Sequence, residues 1–280
     1  MTHSYQEIAQ AVAEKRFDQA RQMIVAAMEQ DPTFSANGRH ISLAHWLVLG
    51  ADWDLVDRLL PPQLNTFRTS GWLESLRAGI PVDVEGNPVP WFTYPSIDFL
   101  EPKVQPDWRV FEWGSGFSTL WWSKRVTSVD SIESSESWVK EVRGRADANV
   151  TLSYCPDEAS YVGAIERHKD NKLDVIVIDG DHRNACAKVA LDYIKPKGLI
   201  IFDNSDGPEF DEGVGYITEQ GWKRLDFFGT IPSYLYKNCT SVFYQDDAFL
   251  KHNPVPSTAK LSSGPTCFQL MYKLRPGNER

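Results

Sequence analysis

The sequence predicts an α/β fold: a doubly wound sheet, mostly parallel with an antiparallel closing strand, plus a small helical N-terminal region. Three observations carry this. From Trp108 onward, short apolar runs rich in β-branched residues alternate with helix-length segments, the order that builds a parallel sheet covered on both faces. Two of the runs, residues 173–178 and 199–202, are almost wholly apolar, as strands buried on both faces must be. Residues 222–228 and 240–244, separated by a polar loop, form a hairpin-like pair that closes the sheet.

The chain divides into four stretches. In residues 1–70, Ile8, Val12, Phe17, Ala20, Ile24, Ala27 and Met28 recur at helical spacing until Asp31-Pro32, and a second run over 41–60 stops at Pro61-Pro62. This is a helical N-terminal cap. Residues 71–107 carry prolines at 81, 88, 90, 95, 102 and 106, which exclude a long helix or a central strand. They make a connector rich in aromatics, serving as packing or as a lid. Residues 108–245 hold the sheet, with strands at 108–112, 126–132, 150–154, 173–178 and 199–202 and helices at 118–124, 137–145, 160–169 and 186–194. Residues 246–280 read as a loop-like tail.

Composition narrows the partners. The 280 residues carry 29 Lys+Arg against 38 Asp+Glu, a net charge of −9. That balance argues against nucleic-acid backbone or an anionic membrane as the main partner, since Lys and Arg supply that attraction. No apolar stretch approaches the roughly 20 residues needed to span a bilayer, and the N-terminal residues lack the apolar run of a signal peptide. Cys155, Cys186, Cys239 and Cys267 form no C-x-x-C pair, which fits free thiols in a reducing compartment. A cytoplasmic location is the expectation.

Ligands of an open parallel sheet bind beyond the carboxyl ends of its strands. There the sequence places Glu112-Trp-Gly114-Ser-Gly116-Phe-Ser118, then Glu133, Pro156-Asp157, Asp179-Gly180-Asp181-His182 and Asp203-Asn204. Asp and Asn are common turn residues singly; an acid or amide after each of five strands points to a site. Dinucleotide pyrophosphate prefers three glycines, a helix N-terminus and no nearby carboxylate. Glu112 and the missing third glycine instead suit a ligand with a positive end, and Glu133 can hold two ribose hydroxyls. S-adenosylmethionine has that chemistry.

The phrases VFEWGSGFSTLWW, VTSVDSIESSESW, LDVIVIDGDHRNA and GLIIFDN together resemble class I S-adenosylmethionine-dependent methyltransferases, with a Rossmann-like sheet. Within that superfamily they are most similar to the cation-dependent catechol and caffeoyl-coenzyme A O-methyltransferase group. The resemblance implies that Glu112, Gly114, Gly116 and Ser118 line the methionine end of the cofactor, with Asp179 also facing it. It places Glu133 on the ribose and Asp157 near the adenine. It further implies a divalent cation, Mg²⁺, on Asp179, Asp203 and Asn204, oxygen donors of the hard type that ion prefers. Where the group often has Lys, this chain has His182, so His182, with Asp181 beside it, is the expected base. The implied reaction is methylation of an oxygen on a small or carbohydrate-like acceptor, and relatives often pair as homodimers.

Trp91 and Tyr94 either stack on an acceptor or fill the gap between cap and sheet, while Trp121, Trp122 and Trp138 are expected to be core. The competing readings are a nicotinamide-dependent oxidoreductase and a non-catalytic interaction protein whose helical N-terminus docks a partner.

Overall fold

The computed structural model describes residues 7–30 with gaps at 9, 12, 13 and 15, residues 65–251 apart from Leu235, and residues 260–266. The helical run expected over 41–60 and the last part of the tail lie outside the described residues. Helix α1 (Phe17–Gln30) buries Ala20, Met23 and Ala27 at helical spacing.

Seven strands make one sheet: β1 (Arg109–Trp113), β2 (Ser128–Glu133), β3 (Val150–Tyr154), β4 (Leu173–Ile178), β5 (Ile194–Asp203), β6 (Lys223–Thr230) and β7 (Lys237–Tyr244). Their spatial order is β3-β2-β1-β4-β5-β7-β6. The first five run parallel, and β7 lies antiparallel to both β5 and β6. After β3 the chain crosses back to the other side of β1, so the strand order reverses between β1 and β4, where such sheets bind ligands. The expected architecture, including the antiparallel closing pair, is the one observed.

Besides the one-turn helix Thr66–Thr69 and short 3-10 turns, the described residues hold α2 (Trp72–Ala78), α3 (Tyr94–Leu100), α4 (Phe117–Ser123), α5 (Glu136–Arg143), α6 (Glu158–Gly163), α7 (Arg183–Ala190) and α8 (Asp211–Glu219). The period-two alternation of a strand divides the central strands between two cores. On one face Val110, Val175, Val177, Leu199 and Ile201 pack against Trp121 and Trp122 of α4, with Trp72 and Leu73 of α2 and Ile97 of α3. On the other, Phe111, Ile176, Ile178, Ile200 and Phe202 meet Tyr161, Ala187, Ala190 and Ile217. The 71–107 connector is therefore a packed layer of the fold: its prolines limit it to two seven-residue helices, whose apolar sides cover the sheet.

The same alternation positions the site. Glu112 follows Val110 on its face, Ser131 and Glu133 follow Val129, Asp179 follows Val177, and Asp203 follows Ile201. Four carboxyl groups thus leave the carboxyl ends of four strands on the face that α4 covers.

Two elements differ from expectation. Helix α7 ends at Ala190, because Ile194 already pairs with Leu173 as the first residue of β5. The segment Asp211–Glu219 is helical, packed closely enough on α7 that a Cβ on Gly213 would stand 2.9 Å from Asn184 Oδ1. No helix among the described residues is long and apolar enough to cross a membrane.

Candidate functional site

The turn leaving β1 is built on close backbone approach. Gly114 has φ +94°, a conformation that costs a side-chain-bearing residue roughly 1–3 kcal/mol. A Cβ there would lie 2.4 Å from the backbone nitrogen of Gly180, and a Cβ on Gly180 would lie 2.7 Å from Gly114 Cα. The Trp113 carbonyl accepts from the N–H groups of both Asp179 and Gly180, locking the turn after β4 onto the turn after β1. Gly116 is extended, and a Cβ added to it would have Trp138 Nε1 as its nearest neighbour at 4.0 Å. Its side is open.

Glu112 braces this turn from below. It is fully buried. Its Oε2 accepts from the Thr119 and Ser131 hydroxyls, and Thr119 Oγ1 in turn accepts from the Gly116 N–H. Its Oε1 is buried without a hydrogen-bond partner among the described residues. Burial pushes the carboxyl up to about 7, against the pull of its hydroxyl partners and with a further push from Asp179. Ser118 is buried in the first turn of α4.

Glu133 is held by its own chain: Oε1 accepts from the N–H groups of Ser134 and Ser135 at 2.9 and 2.8 Å. Its Oε2 accepts from the Ser115 hydroxyl at 3.3 Å, which ties it to the glycine turn. Trp138 donates from Nε1 to the Ser115 carbonyl at 2.7 Å. Expected only as core, this indole also fixes the turn's peptide. Asp181 joins the same group, accepting from Ser134 Oγ at 2.6 Å.

Asp157 is the N-cap of α6, its carboxylate accepting from the Ser160 N–H and hydroxyl. Those hydrogen bonds hold it below the ordinary carboxylate range. His182 has left-handed φ (53°) and precedes α7. Its ring faces α6, with Nδ1 3.6 Å from Glu158 Oε2 and the Tyr161 ring at 5.7 Å. Among the described residues, these contacts place the ring against α6.

Asp179, Asp203 and Asn204 do come together, but around a guanidinium. Arg183, the first residue of α7, donates from Nε to the Gly180 carbonyl at 2.8 Å, and from Nη1 to the Asp203 carbonyl and to Asn204 Oδ1. Its Nη2 lies 3.1 Å from Asp179 Oδ1, and the guanidinium carbon sits 4.7 Å from the Phe210 ring centre. Asp203 Oδ1 accepts from the Thr240 hydroxyl, whose oxygen accepts from the Thr93 N–H of the connector. Burial raises both carboxyls, and Asp179 raises Asp203 further, while Arg183 pulls both back. With Asp179 and Asn204 bonded to a guanidinium and Asp203 Oδ1 taken by the Thr240 hydroxyl, the set does not fit a hard divalent cation, which needs those oxygens itself. The Mg²⁺ expected on Asp179, Asp203 and Asn204 finds no support in this arrangement, because Asp179, Asn204 and the Asp203 carbonyl serve Arg183 instead.

Known proteins bear on the same segment. Residues 111–205 match a family described as a methyltransferase domain. The match spans roughly a third of the chain and contains the glycine turn, Glu133, Asp179, Arg183, Asp203 and Asn204. No curated protein matches the sequence. Among solved structures, the chain is similar to an O-methyltransferase from Bacillus cereus in complex with SAH, at 20% identity over 68% of this chain and 96% of that one, with TM-score 0.44. It is also similar to spermidine synthase from Thermotoga maritima, at 14% identity, 60% and 65% coverage and TM-score 0.46. A third is a precorrin 8w decarboxylase from Methanobacterium thermoautotrophicum, at 16% identity, 60% and 97% coverage and TM-score 0.42.

The matched segment fits a sulfonium nucleoside on its own geometry. The glycine turn offers backbone without side chains, Glu133 presents a pinned carboxylate beside it, and the orphaned Glu112 Oε1 leaves an unmet acceptor beneath.

Proposed function

We propose that the protein is an S-adenosylmethionine-dependent methyltransferase acting on an oxygen of a small or carbohydrate-like acceptor. The observation that carries the reading is the Glu133 carboxylate, fixed by two backbone N–H groups and tied through Ser115 to the Gly114–Gly116 turn at the point where strand order reverses. When bound, the cofactor supplies an electrophilic methyl group on a sulfonium. Glu133 accepts from the two ribose hydroxyls. The glycine turn lets the nucleoside approach, with the Glu133 carboxylate beside it and Asp179 on the side of the sulfur.

On the acceptor side, the loop entering β7 carries an aromatic group. Trp91 and Tyr234 lie 5.8 Å apart and Tyr234 and Tyr236 4.9 Å apart. This group adjoins the connector whose Thr93 is bonded to Thr240, and flat rings of this kind suit a planar or sugar acceptor. Asp179, with 23% of its side chain exposed, is the carboxylate of the buried pair open to exchange a proton with the acceptor hydroxyl. It takes the role that the resemblance assigned to His182. Positioning supplies most of the acceleration in such an in-line displacement.

Calorimetric titration with S-adenosylhomocysteine tests the reading. The wild type should bind one equivalent, and Glu133→Ala should weaken binding about 10–100-fold, the loss of hydrogen bonds to a charged acceptor at roughly 1.5–3 kcal/mol. A folded wild type giving no heat, or equal affinity in the variant, would sink it.

A further inference from the structure

We propose that Arg183 is the resident cation of the acceptor-side rim, standing where a divalent metal would otherwise sit. The inference rests on the methyltransferase reading only for the name of that side; the electrostatics stand without it. Asp179 and Asp203 follow two neighbouring strands on the same face, and both are largely removed from water. Two buried carboxyls this close need a counter-charge from somewhere. The chain provides one by an unusual choice. An arginine at the first position of a helix faces the positive end of the helix dipole, which disfavours it by a few tenths to about 1 kcal/mol. That cost is offset by the partners it reaches.

The geometry of those partners resembles a coordination shell. Four oxygens from two separate turns converge on the guanidinium: the Asp179 carboxylate and Gly180 carbonyl after β4, and the Asp203 carbonyl and Asn204 amide after β5. Two left-handed residues make this convergence possible, His182 (φ 53°) just before Arg183 and Asn204 (φ 51°) just after β5. Phe210 closes the remaining face of the plane, and 12% of the side chain stays exposed. A planar fork with several donors is suited to such a set, where the point charge of a lysine is not. Because the positive charge belongs to the chain, acceptor recognition at this rim does not depend on two vicinal oxygens chelating an ion.

Binding of Mn²⁺, followed by its electron paramagnetic resonance signal, tests this without any methyl transfer, so its outcome is separate from that of the cofactor titration. The wild type should show no saturable binding at Asp203, while Arg183→Ala should gain a site of about 0.1–1 mM, the range of modest oxygen-ligand sites. That gained site should vanish when Asp203→Asn is added. Saturable binding by the wild type that Asp203→Asn removes would overturn the proposal, as would a folded Arg183→Ala protein that gains none. Should Arg183→Ala not fold, the wild-type Arg183 Nε–H resonance decides: it should be protected from exchange and unmoved by Mg²⁺. Rapid exchange, or a shift on adding Mg²⁺, would overturn the proposal.

Discussion

Gly114→Ala should lower the stability of the fold by about 2–6 kcal/mol, the sum of left-handed strain and overpacking at roughly 1–3 kcal/mol each. The strain comes from φ +94°. The overpacking is against backbone: the new Cβ would meet Gly180 N at 2.4 Å and Gly180 Cα at 2.6 Å, atoms that cannot swing aside as the end of a side chain can. Against a total stability of about 5–15 kcal/mol this is a large share. The neighbouring Gly116→Ala is the control. Its backbone is extended and its nearest neighbour stands at 4.0 Å, so urea midpoints should move by no more than about 0.5 kcal/mol. Equal effects of the two substitutions would show that the turns after β1 and β4 are not locked as described.

Glu112→Gln should change how stability depends on pH. With its folded-state value pushed up to about 7 by burial, Glu112 holds its proton in the folded chain where the unfolded chain has released it. Between the ordinary value near 4.5 and about 7, the folded state therefore binds more protons, and stability falls as pH rises through that window. Above it the full cost of the buried charge is present, on the order of 3 kcal/mol. Glutamine keeps the shape and cannot ionise. The stability of Glu112→Gln relative to wild type should therefore rise by that amount between pH 4.5 and 8, whatever constant offset the amide introduces. Denaturant curves at several pH values read the difference directly, and parallel profiles for the two proteins would contradict the assignment. Raised carboxyls that do not act on Glu112, Asp98 among them, tilt both profiles alike and drop out of the comparison.

What could be read from the chain and what could not divide along a physical line. The runs at 173–178 and 199–202 are legible because a strand covered on both faces leaves no room for polar residues. The acids after each strand are legible because sheet topology alone sends carboxyl ends to one edge. Arg183 is not. In sequence it is an ordinary residue opening a helix, and half of its partners are backbone carbonyls brought within reach by the β4–β5 register and two left-handed turns. Gly180 is hidden for the same reason: the need for glycine there arises from Gly114, 66 positions earlier in the chain. Trp138 looks like core because its polar atom is spent on the carbonyl of Ser115, a contact that spacing cannot show. His182 misleads in the opposite sense. Its position after β4 suggests catalysis, but its left-handed backbone turns the ring toward Glu158 and Tyr161. Asp211–Glu219 escapes notice because its two glycines lower helix propensity, and the packing of Gly213 on α7 becomes visible only in three dimensions.

The most direct measurement of the central claim is a crystal structure of the protein with S-adenosylhomocysteine. Both ribose hydroxyls should lie on the Glu133 carboxylate, the nucleoside over the Gly114–Gly116 turn, and the sulfur on the side of Asp179. A nucleoside bound elsewhere, with Glu133 still facing only Ser115, Ser134 and Ser135, would contradict it.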